Sequence, residues 1–152
     1  MLALERMVAT DPRLPLSRPE VETILGELLT LYGHADAEVA LRIVDDREIA
    51  ALNAEFMGCL GPTNILSFPE EISDLFGAGH AVRLGDLVLS AETVLREAFL
   101  YNQPYHEYTV RLLAHGLLHL MGYDHGPDMD ELTDLAVATV SVSDSARLFS
   151  EP

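Results

Sequence analysis

The run His115-Gly116-Leu117-Leu118-His119-Leu120-Met121-Gly122-Tyr123-Asp124-His125 constrains the fold more than any other part of the chain. An α-helix advances about 100° and about 1.5 Å per residue. Side chains four apart therefore return nearly to one side, a turn further on. His115 and His119 can aim at one ion from a single helical face. Gly122 tolerates positive φ and stops a helix, so the chain can turn there and carry His125 back as a third ligand. Three protein ligands leave a fourth tetrahedral position free, which marks a catalytic zinc site and not a closed structural one. The competing account is a core helix whose histidines are satisfied by backbone carbonyls. Three of the six histidines fall in these eleven residues, beside a helix-ending glycine and an aspartate, and that clustering favours a metal.

Pro104 opens the helix that carries the pair, and its apolar residues nearly surround it up to Met121. Such a helix belongs at the centre of a core. A chain of 152 residues suits a single domain spanning 1–152, with its core at about 20–142. At this length about 70% of the unfolded surface can be buried, so no staples are needed. Cys59 is the only cysteine, which excludes an intramolecular disulfide and suits a reducing compartment. No stretch approaches the roughly 20 apolar residues of a membrane span. The start of the chain lacks the basic-then-apolar order of a signal peptide, so the cytoplasm is the expected location.

The formal net charge is −16, and all nine basic residues are arginines. Phosphate is repelled by a surface of that sign. Any polyanion-binding function must rest on a local group of arginines and on the charge of the metal.

Asp11 to Pro19 holds three prolines and reads as a loop. Pro19-Glu20 opens a helix whose apolar positions, Val21, Ile24, Leu25, Leu28, Leu29 and Tyr32, keep helical spacing up to Gly33. Residues 38–44 alternate as a strand. Asp45 or Asp46 caps a helix through about Met57. Asn64 to Phe68 is a short strand ended by Pro69, and residues 70–80 read as a mobile loop. Leu84 to Ser90 is the best strand of the chain, and a helix follows to Tyr101. Asp128 or Asp130 caps a last helix through about Val142, and the final ten residues are expected to fray. The expectation is a small α/β (α+β) domain with a mixed sheet of about four strands and helices packed on it. The strand order cannot be derived from this reading.

Zinc on three neutral imidazoles makes hydroxide available near pH 7 and acts as a Lewis acid, so hydrolysis is the natural reaction class. The spacing His-x-x-x-His-x-x-Gly-x-x-His also fits a zinc protease of the metzincin type. Those enzymes carry a glutamate directly after the first histidine as general base, and here that position is Gly116. A general base contributes about 10²–10⁴-fold, so its loss makes peptide or amide hydrolysis the weaker choice.

With Gly116 and the Tyr123-Asp124 pair considered, the run resembles the signature of the YbeY family of bacterial endoribonucleases, His-Gly-x-Leu-His-Leu-x-Gly-Tyr-Asp-His, at every specified position. Leu52-Asn53 with Pro62-Thr63-Asn64-Ile65-Leu66-Ser67-Phe68 is similar to a second block of that family. Gly85-Asp86-Leu87-Val88-Leu89-Ser90 is similar to a third, and the likeness spans roughly residues 20–142. The resemblance implies zinc on His115, His119 and His125, with nickel or another divalent transition metal as the alternative ion. It implies an endoribonuclease specific for single-stranded RNA, acting at the 3′ end of 16S ribosomal RNA and in ribosome quality control. The partners it implies are small-subunit ribosomal RNA and proteins and the GTPase Era, with no membrane and no DNA. One position departs. Met57 stands where the family carries an arginine thought to contact RNA, and a thioether cannot grip phosphate as a guanidinium does. That departure and the acidic charge favour a rival reading, a ribosome-assembly factor with weak or no nuclease activity.

Arg111, one turn before His115, is the leading substitute for that arginine, with Arg83 and Arg96 as others; the alternative for each is a surface ion pair. Asp124 either orients a ligand histidine and accepts a proton or is simply a turn residue. Asn64 and Ser67 are candidate substrate contacts, with local hydrogen bonding as the competing role. Ser90 reads as a helix cap, Cys59 as inert packing, and His34, His80 and His106 as surface residues without ligand spacing.

Overall fold

The computed structural model describes residues 6–9, 11–70 and 82–141, with side chains from residue 11 to 140. The order of elements is β1 (Arg6–Ala9), α1 (Arg18–Leu31), β2 (Glu38–Val44), α2 (Asp46–Leu52, continued by a π turn at Asn53–Met57), β3 (Ile65–Pro69), β4 (Arg83–Ser90), α3 (Ala91–Leu100), α4 (Tyr105–Leu120) and α5 (Pro127–Ala136, continued by a π turn at Val137–Ser141). The fold is mixed α+β, as expected from the sequence. The four strands form one sheet in the order β1-β2-β4-β3. β1, β2 and β4 run parallel, and β3 closes the edge antiparallel to β4. The mobile loop expected at residues 70–80 and the fraying of the last ten residues fall almost wholly outside the described residues.

Each helix start has a local cause. Ser17 accepts from the Glu20 amide while the Glu20 carboxylate accepts from the Ser17 amide, a reciprocal capping box. Asp45 caps α2 by accepting from the Glu48 amide. Asp46, the other candidate for that cap, instead accepts from the Ser90 and Thr93 hydroxyls and from Arg96. Burial pushes the Asp46 carboxyl pKa up. The Thr93, Ser90 and Arg96 hydrogen bonds outweigh that and hold it below its ordinary value. Ser90 caps α3 through the Thr93 amide, as expected. The last helix departs from expectation: it begins at Pro127 after Gly126, and Asp128 lies inside its first turn with Asp130. Proline at a first helical position is preorganised for the turn, and acids there complement the dipole, so neither aspartate is needed as the cap.

α4 is the central helix. Tyr108, Val110, Leu112, Leu113, Ala114, Gly116, Leu117, Leu118 and Leu120 are buried along it. It lies against β3 and β4 and joins the core shared with α1 and α3. The inward face of α1 completes that core: Val21, Ile24, Leu25, Leu28 and Leu29 are fully buried. Burying each leucine or isoleucine stabilises by about 1.5–3 kcal/mol relative to exposure. Gly116 marks the closest approach of α4 to the sheet. A Cβ at that position would lie 2.8 Å from Ile65 Cδ1, 2.9 Å from Leu87 Cδ2 and 3.3 Å from Ser67 Oγ. Among the described residues, no helix is long and apolar enough to cross a membrane.

Candidate metal centre

α4 ends in a Schellman turn. The Tyr123 amide donates to the Leu118 carbonyl and the Gly122 amide to the His119 carbonyl, with Gly122 at φ 96°. This turn reverses the chain just past the helix and returns His125 beside His115 and His119. The ring centroids are 4.8 Å apart for His115–His119, 5.0 Å for His115–His125 and 4.7 Å for His119–His125. One ligand nitrogen from each ring lies within 4.8 Å of the others. The donor set, three imidazoles without a thiolate or carboxylate, suits zinc and also nickel or copper.

The surroundings favour a neutral His115 and a fixed orientation of His119. Burial lowers the His115 pKa below its ordinary value, and the neighbouring His119 and His125 lower it further. His119 Nδ1 lies 3.1 Å from the Tyr123 carbonyl oxygen. A carbonyl only accepts, so Nδ1 carries the proton and Nε2 is left as the lone-pair donor. The same turn that delivers His125 thus also sets the tautomer of His119. The sequence alone points to Asp124 for an orienting role. The backbone carbonyl of the preceding residue has no sequence signal beyond the turn itself.

The three histidines line a cavity of about 520 Å³ together with Met57, Asn64, Ser67 and Asp124. Met57 is 46% exposed and faces this cavity, so the departure at position 57 falls at the site. Ser67 donates from Oγ to the Gly116 carbonyl at 3.2 Å. Asn64 donates to Glu97, and its side-chain oxygen accepts from the Ile65 amide. Arg111 lies outside this cavity. It lines a second one of about 440 Å³ with Tyr108, Leu112, Asp130, Thr133 and Asp134, and that cavity shares His115 and Asn64 with the first. Its terminal nitrogen is 3.0 Å from Asp134, while its Nε is buried without a hydrogen-bond partner. Arg83 pairs with Asp86 at 2.8 Å and Glu70 at 3.3 Å and lines neither cavity, and Arg96 is held by Asp46. Cys59 is exposed and not packed, and His106 is half-buried where a surface position was expected. His80 falls outside the described residues.

A small α+β protein with three convergent histidines falls in the class of candidate metal-binding domains. The family model described as Endoribonuclease YbeY matches residues 14–139, and the chain belongs to that family. It is 46% identical over 136 residues to the Endoribonuclease YbeY of Oleidesulfovibrio alaskensis, covering 79% of this chain and 80% of the relative. It is 40% identical to that of Nitratidesulfovibrio vulgaris, covering 95% of this chain and all of the relative. A solution structure from Thermotoga maritima shares the fold, with a TM-score of 0.63 at 23% identity over 96% of this chain and 97% of the other.

Proposed function

We propose that this chain is a zinc-dependent endoribonuclease that cuts single-stranded RNA, with His115, His119 and His125 as the metal ligands. The convergence of three imidazole nitrogens within 4.8 Å of one another carries this reading. A divalent cation held there supplies Lewis acidity toward a phosphoryl oxygen and a means of activating water near neutral pH. The protein's part is to keep the ligands neutral and aimed. Desolvation does the first for His115, and the Tyr123 carbonyl does the second for His119. Asp124 lines the same cavity and is the carboxylate we assign to accept a proton from the attacking group. Asn64, Ser67 and Arg111 line the two cavities that meet at His115 and are the residues we assign to border the strand, while Arg83, paired with Asp86 and Glu70 outside both, is left out of that path.

The family match supports an endoribonuclease; the place we propose for it is the 3′ end of 16S ribosomal RNA and ribosome quality control, in the cytoplasm, with the small ribosomal subunit and the GTPase Era as partners. One observation favours the rival reading of an assembly factor with feeble nuclease activity: the histidine cavity has no arginine or lysine among its described lining residues. A single experiment separates them. Protein purified without chelator is assayed for metal content and for cleavage of a single-stranded RNA oligomer, beside His119→Ala. The enzyme reading expects about one zinc per chain and cleavage in the parent, with both lost in the variant while the circular dichroism spectrum is kept. Metal-loaded protein that leaves the oligomer intact at every salt concentration supports the assembly factor.

A further inference from the structure

The enzyme reading carries an electrostatic difficulty. The net charge is −16, the chain has no lysine, and Met57, which lines the histidine cavity, carries no charge. The arginines near the described surface are largely committed elsewhere: Arg13, Arg18, Arg42, Arg83, Arg96 and Arg111 each pair with an acid. A strand of RNA must be held here by something other than a row of cations.

The corner between α3 and α4 offers the alternative. Phe99 is 82% exposed, Tyr101 59% and Tyr105 43%. Tyr101 lies 6.0 Å, ring to ring, from Tyr108, which lines the cavity beside His115. Along α4, Tyr105, Tyr108, Leu112, His115 and His119 follow at spacings of three and four, so they share one face. The distance from Tyr105 to His115 along the axis is about 15 Å. The corner thus meets, through the Tyr101–Tyr108 contact, a cavity of about 440 Å³ that Tyr108 and Leu112 line and that reaches His115.

We propose that this corner and the adjoining cavity hold bases of single-stranded RNA next to the scissile phosphate by stacking. The inference rests on the nuclease reading and names the part of the substrate that the site grips. Every base presents a π face, so aromatic stacking holds a strand without demanding either cations or a particular sequence. The occupant is RNA because Tyr101 packs against Tyr108, Tyr108 lines the cavity that reaches His115, and Arg111 brings a guanidinium into that same cavity. A purely aliphatic patch would lack this link to the chemistry.

The test is a fluorescence titration of zinc-loaded protein, read within seconds of mixing, with a single-stranded RNA oligomer carrying 2-aminopurine. Wild-type protein quenches the label by stacking. Tyr101→Leu and Tyr105→Leu each weaken binding about 5- to 150-fold, the range that removal of one stacking aromatic produces, and restore emission. Tyr101→Phe, which keeps the ring, binds as the parent does. The slope of log affinity against log salt is the same in the leucine variants, because no phosphate contact is removed. If the parent cuts the oligomer while the leucine variants bind and quench as it does, the stacking surface is refuted, the nuclease reading stands, and the corner serves a protein partner. If the parent with zinc neither binds nor cuts, both readings fall together.

Discussion

Replacing Gly116 by alanine tests whether the close approach of α4 to the sheet is what positions the first histidine. Alanine is the better helix former by about 0.8–1.0 kcal/mol, so on an exposed helix the change would stabilise. Here the new methyl meets Ile65 Cδ1 at 2.8 Å and Leu87 Cδ2 at 2.9 Å, both closer than real contacts allow. Leu87 is fully buried and has nowhere to withdraw. Overpacking a close-fitted core costs about 1–3 kcal/mol, and two simultaneous clashes place this site in the upper half of that range. Subtracting the gain in propensity leaves a net loss of about 1–2 kcal/mol, or about 2–8 °C in melting temperature for a chain of this size. Urea unfolding with zinc absent isolates the packing effect, and zinc titration of the folded variant reports whether His115 has moved. The Ser67 hydroxyl, 3.3 Å from the added methyl, provides an internal check. Ser67→Ala removes its bond to the Gly116 carbonyl but also frees space, so the double variant should lose less than the two single losses added. A Gly116→Ala protein as stable as the parent would refute the reasoning, since helix propensity would then have outweighed contact with the sheet.

Met57→Arg should raise affinity for single-stranded RNA and steepen the salt dependence by about 0.7 in the log–log slope, the signature of one added phosphate contact, as read by filter binding at several salt concentrations. Added zinc should raise the melting temperature, by the equivalent of about 2.7 kcal/mol when free metal is a hundredfold above its dissociation constant, and His119→Ala or a chelator should abolish the rise. Asp46→Ala should cost about 1.5–3 kcal/mol near pH 7, because the charged carboxylate accepts from Ser90, Thr93 and Arg96. The Asp46 pKa is depressed in the folded protein, so its contribution is present above the unfolded value of about 3.9 and fades as pH falls through the folded value. Urea melts from pH 7 down to pH 3 should therefore show the gap between parent and variant closing at the acid end.

The parts of the fold that are legible in the chain are those that local chemistry determines. The 3.6-residue spacing in α1 and α4, the alternation in β2 and the Ser90 cap each leave a trace within a few residues. The histidine triad is equally legible, because helix geometry and one positive-φ glycine bring all three rings together without help from distant parts of the chain. The Ser17–Glu20 capping box is written as Ser-Arg-Pro-Glu but is masked by the more obvious proline. The strand order is out of reach. Parallel pairing of β2 with β4 joins residues more than forty positions apart, and β1, in a segment without clear alternation, gains its place only by pairing with β2. The fates of the arginines are hidden for the same reason: Arg111 meets Asp134 across two helices, and Arg96 meets Asp46 across fifty residues.

The lack of an anionic side chain in the histidine cluster bears on how an acidic protein can approach RNA at all. Three imidazoles add no negative charge, so a divalent ion on them keeps its full charge, which a carboxylate ligand would have partly cancelled. A unit charge pair at 4 Å is worth about 4 kcal/mol at an effective dielectric of 20. That attraction is screened over about 8 Å at physiological salt. An ion held there would therefore bind a phosphate in contact with it but would not hold the neighbouring ones against the field of a −16 chain. The flanking nucleotides need short-range contacts indifferent to charge, and the exposed Tyr101 at the end of α3 and Tyr105 at the start of α4 are groups of that kind. On the stacking proposal, the acidity of the chain and an uncharged Met57 in the histidine cavity leave room for catalysis while the grip on the strand falls to its bases.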